Sequence, residues 1–226
     1  MSTSYDKVLT FWFGQKGSRE YLQQKSFWYG SPSDDAYVRK HLGSDYEAAR
    51  TGALDAWKFD GQGEGALALI LLLDQVPRNI FRDTPQAYAT DAKAVAVARY
   101  AVDQGWDKNM PVIQRRYMYS PFNHSENLED QEMSLRLFTE LGDSYHLHWA
   151  RNFHDQIKRD GRFPYKDSTL DFYAESKIKE PWICEATLSN MKLPIGTTTA
   201  APESRGKNPN GLPHISLTSL PAVNEP

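Results

Sequence analysis

Apolar positions recur at helical rather than strand spacing along most of this chain. From Tyr5 to Phe13 an aromatic-rich stretch predicts a short helix, ended by Gly14 and Gly17. Ser33 or Asp34 is placed to cap a second helix, in which Tyr37, Val38, Leu42 and Tyr46 return at helical intervals. Glu64 to Val76 is the most hydrophobic stretch, and Ala66 to Leu73 within it is apolar on every side. Leucine and alanine dominate there over β-branched residues, which predicts a central buried helix in preference to a buried strand.

Thr90 or Asp91 caps the next helix, with Ala94, Val97, Ala98 and Ala101 on one face and Gly105 after its end. Asn123 and Glu126 have capping-box spacing, which predicts a helix over about 125–141 that Gly142 breaks. A helix over about 144–159 follows, and another begins near Ser168. No segment alternates as a strand does. The predicted class is therefore all-α, about seven helices joined by short loops, a pattern shared by bundles and by arrays of antiparallel helical pairs.

Composition changes near Asn190. From there to Pro226 the chain is rich in proline, glycine, serine, threonine and asparagine and has no aromatic residue. Such a segment buries too little apolar surface to offset its ordering entropy, so the expected organisation is one helical domain over 1–189 and a disordered tail over 190–226.

Charge and composition narrow the function classes. The chain has 226 residues, 40% of them hydrophobic, and a net charge of −3. That balance provides no broad positive field for nucleic acid. The longest apolar run is far short of the roughly 20 residues that span a bilayer, and the first residues lack a basic stretch leading into an apolar one. The single cysteine, Cys184, rules out an internal disulfide framework and suits a reducing compartment. A soluble cytoplasmic protein is expected. Apolar surface beside the short first helix is compatible with an oligomer.

Three segments carry candidate chemistry. The first runs from Leu72 to Arg82. Asp74 ends an apolar helix, where it is both desolvated and near the negative end of the helix dipole. It needs a cationic partner, and Arg78 lies one turn on, with Gln75 beside it and Arg82 beyond Pro77. Either these groups form a buried strut between helices, or one arginine is left to hold a ligand carboxylate or phosphate.

The second runs from Arg115 to Gln131. The capping-box reading puts His124 and Ser125 at a helix N-terminus, where backbone N–H groups favour anions. Gln131 interrupts the apolar stripe of Leu128, Leu135 and Phe138, so a polar group must face it. Arg116 is a candidate anion ligand, and His124 or Glu126 a candidate proton carrier. The plainer account has Asn123 or Ser125 capping the helix and Gln131 satisfying loop backbone. A histidine beside a serine and a glutamate is not a nucleophilic triad without the geometry of one.

The third runs from His154 to Tyr165. Gly161 suits a helix C-cap, Arg159 suits the negative helix end, and Arg162 follows on a loop before Phe163 and Pro164. His146 and His148 are two apart, hence on different helix faces, and His154 with His124 lacks a metal-ligand spacing, so no metal is expected. Gly61-Gln62-Gly63-Glu64-Gly65 has neither a preceding strand nor a Gly-Lys-Ser/Thr ending. No cofactor is expected. Phe11, Trp12, Phe13, Phe27, Trp28 and Tyr29 are packing anchors or an aromatic wall for a ligand.

Taken in order, Phe11-Trp12-Phe13, Lys25-Ser26-Phe27-Trp28, Asp74-Gln75 through Arg82, Arg116 through Gln131 and His154 through Pro164 resemble an uncharacterised bacterial and fungal family, domain of unknown function 924. The resemblance covers roughly residues 8 to 180. It implies a tetratricopeptide-like helical fold and carries no established activity. It also marks Asp74, Arg78, Arg82, Arg116, His124 and Gln131 as recurring polar positions, with Asn79, Asp91 and Gly161 among others. After Pro164 the family usually continues His-Arg-Asn, whereas this chain has Tyr165-Lys166-Asp167.

Two functional readings follow. One is a small-molecule binding protein or enzyme, its pocket lined by arginine, histidine and glutamate and suited to a small anionic molecule. The other is a peptide- or protein-binding module with a basic clamp for a peptide carboxylate. Convergence of the motif residues on one enclosed cavity favours the first, and dispersal along an open groove the second. A third outcome is that the motifs only tie helices together.

Overall fold

A computed structural model describes residues 4–28, 30–163 and 166. Every regular element among them is helical. The expectations for Tyr29, for a helix near Ser168, for Cys184 and for the 190–226 tail fall outside the described residues.

The first helix, α1 (Tyr5–Phe13), begins where the Ser4 side chain accepts from the Asp6 N–H and buries Val8, Trp12 and Phe13. Helix α2 (Pro32–Thr51) starts earlier than the sequence suggested: its N-cap is Ser31, in a capping box with Asp34. Pro32 sits in the first turn, where its missing N–H costs nothing, so the proline opens the helix rather than preceding it. Val38, Leu42 and Tyr46 are buried, but Tyr37 is 48% exposed and stacks on Phe11.

The apolar stretch is the centre of the molecule. It comprises α3 (Glu64–Ile70), one π-helical turn (Leu71–Gln75) and α4 (Val76–Ile80). Ala66 to Leu73 are completely buried, with α1, α2 and the later helices over 91–103 and 112–124 packed around the segment. Pro77 explains part of its irregularity. It has no N–H for the Leu73 carbonyl one turn back, and the Thr90 hydroxyl donates to that oxygen instead, at 2.5 Å. Thr90 is accordingly the N-cap of α5 (Asp91–Asp103) without making a side-chain cap bond.

Two corrections follow in the second half. Residues read as leading into a helix form one of their own, α6 (Val112–His124), with Pro121 in its last turn. His124 therefore ends a helix and does not begin one. Helix α7 (Leu128–Leu141) is capped by Asn127, not by Asn123 or Ser125. The proline near its end disguised α6 as a loop. Gly142, at φ +73°, then lets the chain turn directly into α8 (Ser144–Asp160), whose N-cap is Asp143. Ala150, Phe153 and Ile157 are buried on α8, and Phe163 folds back against Phe153.

Candidate functional site

Helices α6 and α8 enclose a cavity of about 300 Å³. From α6 come Arg116, Tyr117, Ser120 and Asn123; from the start of α8, Asp143, Tyr145, His146 and Trp149. Phe138 of α7, Trp28 and Gln75 also line the cavity, with Gln24 and Ile113. The lining combines five aromatic rings, Trp28, Tyr117, Phe138, Tyr145 and Trp149, with seven polar or charged side chains.

The π turn brings Gln75 to this wall while its neighbour Asp74 stays wholly buried behind it. Gln75 Nε2 donates to Asp74 Oδ2 at 2.6 Å and to Ser120 Oγ at 3.2 Å. Ser120 donates to the same carboxylate oxygen at 2.8 Å. On its other oxygen Asp74 meets His124 Nδ1 at 2.6 Å and Arg78 Nη1 at 3.2 Å. Burial alone raises the Asp74 carboxyl, but the His124 and Arg78 charges and these hydrogen bonds outweigh it and hold the group below the usual carboxylate range.

Ser120, Asp74 and His124 are the residue types of a hydrolytic triad in the wrong order. The carboxylate stands between serine and histidine, so the imidazole does not contact the hydroxyl it would have to deprotonate. The cluster is instead part of a buried charge network. Arg78 grips Asp91 with both terminal nitrogens, at 2.8 and 3.0 Å, and Lys166 reaches Asp91 at 2.6 Å. Each buried carboxylate thus has cationic or hydrogen-bonding partners, as buried charges require.

A second polar cluster lies on the cavity wall itself. Asp143 accepts from the His146 backbone N–H at 3.1 Å and from His146 Nδ1 at 2.9 Å. Arg116 Nε approaches Asp143 Oδ2 at 2.5 Å. Asp143 is 7% exposed in its side chain; desolvation raises its pKa, and His146, the helix N-terminus and Arg116 reverse that and bring it below the usual range. The His146 ring lies parallel to Phe138 at 5.9 Å, with Tyr145 edge-on at 5.1 Å.

The family model for a bacterial protein of unknown function, DUF924, matches residues 8–176. The chain belongs to this family. A solved protein of unknown function from Agrobacterium tumefaciens, ATU0120, is similar at 30% identity, over 76% of this chain and 96% of that one, with a TM-score of 0.63. Comparison with curated proteins finds no match. Every residue of the cavity wall falls inside the family match.

The structure separates the site residues read from the sequence. Gln75 and Arg116 line the cavity. Asp74, Arg78, His124 and Gln131 are buried in the framework behind it. Gln131 donates to the carbonyls of Phe122, Asn123 and Ser125, so it stitches the end of α6 to α7, as the plainer account expected. Ser125 donates to Asp130, and Glu126 accepts from the Phe163 N–H at 2.7 Å. Arg82 pairs with Asp35 beside a separate, shallow depression lined also by Arg39 and Lys40. His154 pairs with Asp155, and Arg162 is exposed beyond α8. Among the described residues no three histidine, cysteine, aspartate or glutamate side chains gather as metal ligands.

Sequence reasoning passed over Asp143 and His146. A signal was present: Gly142-Asp143, with a histidine three residues on, is a helix start whose N-cap can also reach an imidazole. His146 was weighed only as a partner of His148, which is the wrong pairing.

Proposed function

We propose that this chain binds a small anion with an aromatic or other apolar body in the cavity between α6 and α8. One observation carries the reading: Arg116 lines an aromatic-walled cavity with its side chain 36% exposed, and its nearest approach to Asp143 is through Nε, not through the terminal nitrogens. Its Nε side is steadied by Asp143. The remaining fork matches a carboxylate or phosphate bidentately. Tyr117, Tyr145 and Trp149 provide faces against which a flat or apolar body packs. The volume suits a small molecule and is too small for a folded peptide segment.

The test is a thermal-shift and calorimetric screen with benzoate, phenylacetate and phenyl phosphate. A ligand that binds only the folded state at about 100 times its Kd adds about 2.7 kcal/mol of stability. Binding that disappears in Arg116→Ala supports the reading. Equal binding by that variant, or binding of neutral aromatics alone, sinks it.

A further inference from the structure

We infer that the cavity is also catalytic: His146 is a general base that activates water against an ester of an anionic aromatic molecule, with Asp143 as its positioning residue. The inference rests on the binding reading above, with Arg116 holding the substrate's anionic group.

The geometry assigns each part. Asp143 is acceptor-only when ionised, so the bond to His146 Nδ1 places the imidazole proton on that nitrogen. In the neutral ring the lone pair then sits on Nε2, which has no partner among the described residues, on a side chain 26% exposed that lines the cavity. Phe138 and Tyr145 fix the ring plane, so this lone pair is held in one direction. The low-lying Asp143 carboxyl stays charged and stabilises the imidazolium that forms when Nε2 takes a proton.

A donor for the developing oxyanion is also present. Asn123 lines the same cavity, and its Oδ1 is taken by the Ser134 hydroxyl, which leaves the amide N–H groups as its cavity-side function. Ser120 is not the nucleophile, because its hydroxyl is committed to Asp74, whose depressed pKa makes that carboxylate a weak base. Water takes that role.

The step balances without a cofactor. His146 Nε2 takes a proton from water as the water oxygen bonds to the ester carbonyl carbon. The carbon–oxygen bond to the leaving alcohol then breaks, and the imidazolium returns the proton to that oxygen. Ester and water give acid and alcohol, and the protein is unchanged.

The experiment uses 4-acetoxybenzoate, with neutral phenyl acetate as control, on the full-length protein. Expected is turnover of the anionic ester above its spontaneous hydrolysis and little of the neutral one. His146→Ala and His146→Gln should each lower kcat by about 100-fold or more, and Arg116→Ala should raise KM. Asp143→Asn keeps a good helix cap and removes the charge. It should lower kcat about tenfold or more yet lower KM, because a negative charge beside the substrate's anionic group is removed. A purely structural Asp143 would not split the two parameters in that way.

If benzoate shifts the melting temperature through Arg116 but 4-acetoxybenzoate is not turned over, catalysis is refuted and the binding reading stands. Turnover that survives both His146 variants refutes it equally. Absence of both the thermal shift and the turnover removes the proposal together with the reading beneath it.

Discussion

His124 Nδ1 lies 2.6 Å from Asp74 Oδ1, and neither side chain has any exposed surface. Arg116, by contrast, pairs with Asp143 at the wall of a cavity and remains 36% exposed. The two therefore differ in what their loss should do. His124→Ala strips a partner from a buried carboxylate and should cost about 3 kcal/mol, about 6–12 °C in melting temperature for a domain this size. Arg116→Ala should cost under about 1 kcal/mol. Thermal denaturation of both variants checks this. An equal loss would show that Arg116 is part of the framework.

Asp74 and Asp143 both ionise below the ordinary carboxylate pKa when folded. The unfolded chain binds their protons first as pH falls. Their contribution is complete above the unfolded carboxylate pKa, about 4, and is lost as pH drops through the folded values. Urea unfolding between pH 6 and pH 3 should show stability falling, with a shallower slope in Asp143→Asn. An unchanged slope would contradict the assignment.

Tyr119 behaves in the opposite sense. It is fully buried and donates to Asp107 at 2.5 Å. Burial, and then the neighbouring Asp107 carboxylate, push its phenol upward against the pull of Arg115. A raised folded pKa stabilises below about pH 10, the unfolded tyrosine value, and the contribution is lost as pH climbs through the folded one. Absorbance titration of tyrosinate should find this tyrosine ionising only as the protein unfolds. Tyr119→Phe should remove that step and cost about 1–3 kcal/mol at neutral pH, since Asp107 loses its donor.

Thr90 and Pro77 should be coupled through the Leu73 carbonyl. Thr90→Val leaves that buried oxygen without its donor, for about 1–3 kcal/mol. Replacing Pro77 by alanine supplies a backbone N–H to the same oxygen. P77A should therefore rescue part of the T90V loss while doing less in the wild-type background. Strict additivity in the double-mutant cycle would rule out the shared oxygen.

How much of this was legible depends on how local each signal is. Tyr5–Phe13 was readable to the residue, because its aromatic spacing and terminal glycine lie within one stretch of chain. The span of α8 was readable within a residue for the same reason. α6 was not, since Pro121 normally ends a helix and the tertiary contacts around Met118, Tyr119 and Phe122 carry the helix through it. The single π turn was also invisible, being a one-residue adjustment that Thr90, 17 positions away, helps to satisfy.

The amino-acid sequence by itself determined the helical class, the buried central segment from Ala66 to Leu73 and the need of Asp74 for cationic partners. Each is set by periodicity, or by the cost of a charge in an apolar setting, both local properties. Only the tertiary structure decided which polar residues share a space. It sent Arg78 to Asp91, Arg82 to Asp35 and His124 inward to Asp74, and it brought Arg116 to Asp143 and His146 across a cavity wall. A charged group chooses among partners by distance and desolvation, and both are fixed only when the helices have packed.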